Sequence, residues 1–397
     1  MGKNMSQFQL SKTATELKRS VMRDLIPLAV QPGVISLAGG LPTNECLPVD
    51  ELRSCTDRVL SRDGFRALQY GPPFAPLRDW LAEYMRSQGV NCLPENIFIT
   101  NGAQQSLAIL SRLFADRGDS SVIESITFTG IHQITQGRGL RVTAVPTNLE
   151  TGVSVNALAE AFAQNPHPKF AVLIPNFHNP LGVTISVEKR RRIVELAAKY
   201  QVPIIEDDPY SPLRFKGESI PLLSAIDEAE KIIYVGSFSK MLAPAARLGW
   251  IVAPKELGEK ITVLRESFDL ESSQLVQRTV TEFLTSGGLE SNLARLNTTN
   301  SKRCTALMAA LKEHFEPLGA FWTKPEGGLF AWITLPEHID ASALFQKAVA
   351  EKVAYIPGNA FAVEGGFQNT MRVNFSNATS ENIREGVRRL AKVIESR

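Results

Sequence analysis

From about residue 95 to residue 254 the chain alternates short, apolar, β-rich runs with segments of helical period. The runs at 97–100, 121–124, 141–145, 170–174, 203–206, 232–235 and 249–252 are rich in Ile, Val and other strand-forming residues. Between them, segments such as 103–114 and 187–200 repeat their apolar positions as helices do. In the second, Ile193, Leu196, Ala197 and Tyr200 share a face, and the basic run Lys189-Arg190-Arg191-Arg192 is assigned to the solvated side. Strands alternating with helices predict βαβ units and an α/β fold on a mostly parallel seven-stranded sheet flanked by helices. The link between the last two runs is short and lacks helical period, so one of them is predicted antiparallel.

Beyond residue 254 the pattern changes. Helices are predicted over 255–268, 273–286, 290–315, 341–351 and 380–396. Runs at 321–324 and 329–334 flank Gly327-Gly328 as a small antiparallel sheet, and 371–375 reads as another strand. This is a smaller α+β unit. Residues 1–50 are irregular: a short helical stretch with Arg23 and Leu25, then Gly39-Gly40-Leu41-Pro42, whose glycines allow close backbone approach. The expected division is 1–50 as a segment joining the small domain, 51–290 as the large domain and 291–397 as the small one.

Composition narrows the function. Among 397 residues, 43 Lys and Arg face 41 Asp and Glu, without a basic tail or acidic block, which speaks against nucleic acid or an acidic membrane surface as partner. Cys46, Cys55, Cys92 and Cys304 are scattered, and the five histidines show no metal-ligand spacing, so neither metal nor disulfide framework is expected. His178, beside Asn179, is read as structural. No apolar run approaches the roughly 20 residues of a membrane span. The expectation is a soluble cytoplasmic protein.

Open α/β sheets bind ligands beyond the carboxyl ends of their strands. The polar residues there are Asn101-Gly102-Ala103-Gln104, Asn179-Pro180, Asp207 with Tyr210, and Ser237-Phe238-Ser239-Lys240 with Arg247, joined by aromatic Phe128. Each alone has an ordinary reading as turn or surface. Together they meet complementary demands: a lysine for a carbonyl cofactor, and a buried carboxylate to keep a pyridinium nitrogen protonated. An amide and a phenol suit a ring oxygen, and Phe128 a flat heterocycle. A helix N-terminus, two hydroxyls and an arginine suit a phosphate. The cofactor so described is pyridoxal 5'-phosphate.

Ser237-x-Ser239-Lys240-x6-Arg247-x-Gly249 resembles the lysine motif of class I/II aminotransferases of PLP fold type I. Asn179-Pro180-x-Gly182, Asp207-x-x-Tyr210 and Met371-Arg372-Val373-Asn374-Phe375 are similar to further motifs of that family, in order and spacing. The segment from Arg23 through Gly39-Gly40-Leu41-Pro42 is similar to the 2-aminoadipate and kynurenine aminotransferase subgroup, in which it closes over substrate.

The resemblance implies a homodimeric enzyme that moves an α-amino group from an amino acid to a 2-oxo acid by a ping-pong route. Lys240 would be the cofactor-linked lysine and proton carrier. Asp207 would face the ring nitrogen, and Tyr210 and Asn179 the 3-oxygen. Ser237, Ser239, Arg247 and the backbone of Gly102-Ala103-Gln104 would hold the phosphate, with Tyr70 reaching it from the neighbouring subunit. Arg372 would bind the substrate carboxylate, and Arg23 with Gly39 and Gly40 would meet its side chain.

Departures from the subgroup lie at the substrate rim. The loop after Tyr70 is shorter, Ala103 stands where a hydroxyl residue is common, and Ile126 and Phe128 replace Pro and Tyr. A PLP lyase or decarboxylase on the same scaffold, and a non-catalytic ligand-sensing module, are the alternative readings. The sensing modules of this kind follow a winged-helix domain, which is not seen ahead of the motifs here.

Overall fold

Seven strands form the central sheet, in the order Ile97–Thr100, Gly249–Val252, Ile232–Ser237, Ile204–Asp207, Ala171–Leu173, Ser120–Glu124 and Arg141–Val145. The structure is a computed structural model and describes residues 8–17, 25, 27–29 and 31–396. Gly249–Val252 runs antiparallel to both of its neighbours, and the other pairings are parallel. Helix Ala103–Phe114 packs on one face through Leu107 and Leu110, against Ile123, Ile205 and Ile233. Helices Val155–Phe162 and Val187–Tyr200 cover the other, where Leu158, Ile193 and Ala197 meet Ile204 and Val122. Buried on both faces, the central strands are largely apolar, as parallel strands are, with polar residues such as Glu124, Asp207 and Ser237 toward their carboxyl ends.

One expectation is corrected here. Arg191 and Arg192 are exposed, but Arg190 is fully buried. It lies one turn before Ile193 and Val194 on the packed face, and carbonyl oxygens at Ile185, Pro175 and Pro221 accept its N–H groups at 2.9, 3.1 and 2.8 Å. Backbone acceptors supply what water would otherwise provide.

The smaller sheet is antiparallel, in the order Phe321–Trp322, Phe330–Thr334, Thr370–Asn374 and Ile356–Pro357. Helices Gly288–His314 and Ser380–Glu395 pack together over it, Leu307 and Leu311 joining Val387 and Leu390 in one core. The first of these helices runs unbroken through position 290, where the sequence reading divides the chain. Ile35–Ser36 pairs in parallel with Val353–Ala354, which anchors the N-terminal segment to this smaller unit. Among the described residues no helix is long and apolar enough to cross a membrane, and no cluster of His, Cys, Asp or Glu could hold a metal.

Candidate active site

The carboxyl ends of the parallel strands open into one cavity of about 800 Å³. Its walls include Gly40, Ala103, Gln104, Phe128, Asn179, Asp207, Tyr210, Ser237, Ser239, Lys240, Arg247 and Arg372. The sheet alternation places them. Ile205 shares its core with Leu107 and Ile233, while Ile204 packs with Leu158 and Ile193 on the far face. Asp207, two residues after Ile205, therefore turns toward the cavity.

Asp207 is 3% exposed and its Oδ1 has no hydrogen-bond partner. Burial, then the neighbouring Asp208 charge, pushes its pKa up to about 7. Lys240 Nζ donates to Gly40 O at 2.7 Å. Burial, with the positive charges of Arg372 and Arg247, brings its pKa down to about 8. An uncharged amine is therefore within reach at mildly alkaline pH. Tyr210 sets its ring against Phe330, 6.0 Å between centroids, and burial pushes its hydroxyl pKa well up against the opposing effects of Arg372 and Asn179.

Arg372 is held on the middle of the small sheet, where it pairs with Trp332 and Ile356. Its Nη1 donates to Asn179 Oδ1 at 2.8 Å and its Nη2 to Ala38 O at 2.6 Å. The guanidinium lies over Phe330 and Phe361, 4.2 and 4.7 Å from the ring centres. The small unit thus places a cation directly on the Asn179 loop of the large one.

A second cradle sits at the start of helix Ala103–Phe114. Gly102 caps it with φ +91°, and a Cβ there would come within 2.9 Å of Arg247 Nη2. The first-turn N–H groups of any helix lack intrahelical acceptors and favour an anion. Arg247, itself at φ +47°, donates to Asn101 O at 3.1 Å, and Ser237 Oγ accepts the Ser239 N–H at 3.1 Å. Asn101 and Gln105 side chains both donate to Asp269, which ties this corner to helix Gly258–Asp269.

Other predicted residues lie elsewhere. Tyr70 is 79% exposed and does not line the cavity; its neighbour Gly71 donates to Glu271 at 2.7 Å. Gly39 is absent from the walls although Gly40 is present. Arg23 lies outside the described residues. His178 is buried, with Nε2 3.1 Å from Glu124 Oε2, which also accepts the Ile174 N–H at 3.0 Å; it braces the loop rather than facing the cavity. The sequence gives no sign of Phe330, Gln133, Thr129 and Ile174 as wall residues. Only the cross-strand register of Phe330 with Asn374 brings that ring under Arg372.

The chain fits pyridoxal phosphate on two independent points. Asp207 Oδ1 is a buried acceptor waiting for a donor, as a protonated ring nitrogen would be. Gly102 leaves open a space beside Arg247 and a helix N-terminus that a side chain would fill, as a phosphate requires.

The family model described as "Aminotransferase class I and II" matches residues 34–390. An aromatic-amino-acid aminotransferase of Thermococcus litoralis is 39% identical, over 97% of this chain and 94% of its own. A 2-aminoadipate transaminase of Thermus thermophilus is 35% identical, over 97% of this chain and 96% of its own. The crystal structure of a Pyrococcus horikoshii kynurenine aminotransferase, in complex with pyridoxamine phosphate (PMP), superposes with a TM-score of 0.92 at 34% identity, covering 98% of this chain and 97% of that one. With the fold, the cradle and the matched span in agreement, the chain belongs to the class I and II aminotransferases, pyridoxal-phosphate-dependent enzymes that transfer amino groups.

Proposed function

We propose that the cavity described above is where this enzyme exchanges the amino group of an α-amino acid with a 2-oxo acid. The observation that carries the reading is the convergence of Lys240, Asp207 and Arg372 on one cavity although they come from different strands and units. Bound pyridoxal phosphate supplies an electron sink for the pair left when the substrate Cα–H bond breaks. Lys240 Nζ would hold the cofactor and carry the substrate Cα proton. Asp207 would keep the ring nitrogen protonated. Tyr210 and Asn179 would hold the ring oxygen, and Phe128 would give the ring an apolar face. Ser237, Ser239, Arg247 and the N–H groups at Gly102-Ala103-Gln104 would hold the phosphate.

Arg372 takes the substrate carboxylate in the bidentate manner that suits a guanidinium. Gly40, beside Lys240 Nζ, and Gly39 let the N-terminal segment come close to substrate, and Arg23 of that segment is assigned the recognition of its side chain. Leu107, Phe128 and Ile174 add apolar surface to a wall that also carries Thr129 and Gln133, which suits aromatic and long-chain amino donors such as those named for its relatives. Residues 51–290 act as the cofactor-holding domain, and 291–397 with 1–50 as the one that carries Arg372.

The same reading makes the enzyme a homodimer. Phe65, Leu68 and Tyr70 follow closely in sequence and are 77%, 70% and 79% exposed, and Leu270 is 60% exposed one residue from Glu271, which Gly71 contacts. A second copy would cover this apolar patch. A screen of amino acids in the first half-reaction, followed by the cofactor's absorbance, tests the reading. Conversion by aromatic and long-chain donors, reversed by a 2-oxo acid, is expected; no conversion by any amino acid would overturn it.

A further inference from the structure

Asp208 follows Asp207 directly, yet its carboxylate lies on the other side of the strand, in contacts that face away from the cavity. It is 2% exposed. Its Oδ1 accepts the Ser211 N–H at 3.0 Å and Asn176 Nδ2 at 3.2 Å, and its Oδ2 accepts the Tyr234 hydroxyl at 3.3 Å. Burial raises its carboxyl pKa above the ordinary value, and the Ser211 and Asn176 donors, with the Arg190 charge, oppose that rise and favour the ionised form. Asn176 is oriented in turn by Arg190, whose Nη2 donates to Asn176 Oδ1 at 2.6 Å. A relay Arg190–Asn176–Asp208 therefore runs beneath the loop that ends at Asn179.

The order of the relay matters. A guanidinium in direct contact with Asp208 would cancel most of its field at short range. The neutral amide of Asn176 passes on the orientation of Arg190 but leaves the charge on Asp208 less compensated. Around Asp208 stand Glu206 and Asp207 on its own strand, Arg190 from helix Val187–Tyr200, Tyr234 from strand Ile232–Ser237, Tyr84 from helix Ala75–Ser87, and Arg214 beyond Arg190. The set holds two carboxyl groups, two guanidiniums and two buried phenols, so Asp208 adds the third carboxyl of the cluster.

We infer that Asp208 is a positioning residue with an electrostatic duty: it fixes the strand end that presents Asp207, and its charge helps keep the cofactor's ring nitrogen protonated from behind the sheet. This rests on the proposed pairing of Asp207 with that nitrogen. A purely structural Asp208 would be replaced well by asparagine, which keeps the shape and one acceptor oxygen. A charge-bearing Asp208 would not.

The test loads wild type, Asp208→Asn, Tyr234→Phe and Asp207→Asn with cofactor labelled with ¹⁵N in the ring and follows the nitrogen's chemical shift from neutral to alkaline pH. The ring nitrogen of Asp208→Asn should lose its proton about one pH unit or more below wild type. Tyr234→Phe, which leaves Asp208 one donor fewer, should shift in the same direction by less. In steady state, Asp208→Asn should lower kcat about tenfold with KM for the amino acid little changed, because Arg372 is untouched. A wild-type nitrogen titration in Asp208→Asn would overturn the inference. If that variant does not fold or load, an unchanged titration in Tyr234→Phe does so instead. Loss of the proton in Asp207→Asn but not in Asp208→Asn would leave the Asp207 pairing standing and remove only Asp208. A nitrogen still protonated in Asp207→Asn would remove the pairing itself.

Discussion

Two buried side chains of opposite sign dominate the cavity, and both are shifted toward their neutral forms. In the free protein Asp207 is held protonated to about pH 7, and burial and the Asp208 charge raise Glu206 to about 7 as well. In an unfolded chain both would ionise near pH 4. The folded apoprotein thus binds more protons than the unfolded chain across that window, so these groups make it less stable as pH rises from about 4 to about 7. Urea unfolding of apoprotein at either end of the window should show this fall, and Asp207→Asn should flatten part of it; an identical slope in the variant would contradict the assignment. Lys240, brought down to about 8, should capture cofactor at a rate that rises with pH and levels just above that value. Stopped-flow mixing of apoprotein with pyridoxal phosphate checks this, and a rate still climbing near the ordinary lysine range would count against it. Lys240, Asp207, Asn179 and Arg247 were legible in the sequence because their types and strand-end positions have few other joint uses. The burial of Arg190 and the place of Phe330 were not, since each depends on which distant backbone happens to meet it.

Among elements, the start of helix Ala103–Phe114 carries the most specific local requirement. Gly102→Ala would force a side chain into φ +91° and to within 2.9 Å of Arg247 Nη2. The backbone cost alone is about 1 kcal/mol or more. Cofactor affinity, measured by fluorescence titration, should fall about tenfold or more while the amino acid preference stays as it was; unchanged affinity would place the phosphate elsewhere. The strands and the helices 103–114 and 187–200 were readable from period alone, and the antiparallel strand from the short link before it. Helix Thr129–Gly137 gives little helical signal, because it mixes β-branched residues with glycine. It forms where Ile131 can bury against the sheet. The two-residue strands Val353–Ala354 and Ile356–Pro357 are too short to show any period.

At the scale of the molecule, the site needs both units, since Arg372 reaches Asn179 and Ala38 from the small sheet. The exposed patch of Phe65, Leu68, Tyr70 and Leu270 adds the expectation of a second copy. Mixing Lys240→Ala and Tyr70→Ala chains, each nearly inactive, should restore part of the activity through heterodimers with one undamaged site. No recovery despite proven exchange of subunits would contradict shared sites. Nothing in the sequence brings these side chains together, because 270 meets the 65–70 segment through long-range contacts of Glu271 and Gln274 with Gly71. The proposed reaction depends above all on Lys240 standing at the reacting carbon. Borohydride reduction of the loaded enzyme, followed by peptide mass spectrometry, tests it most directly. The reduced cofactor is expected on the peptide that contains Lys240, and none in Lys240→Ala. A pyridoxyl group on any other lysine of the native enzyme would contradict it.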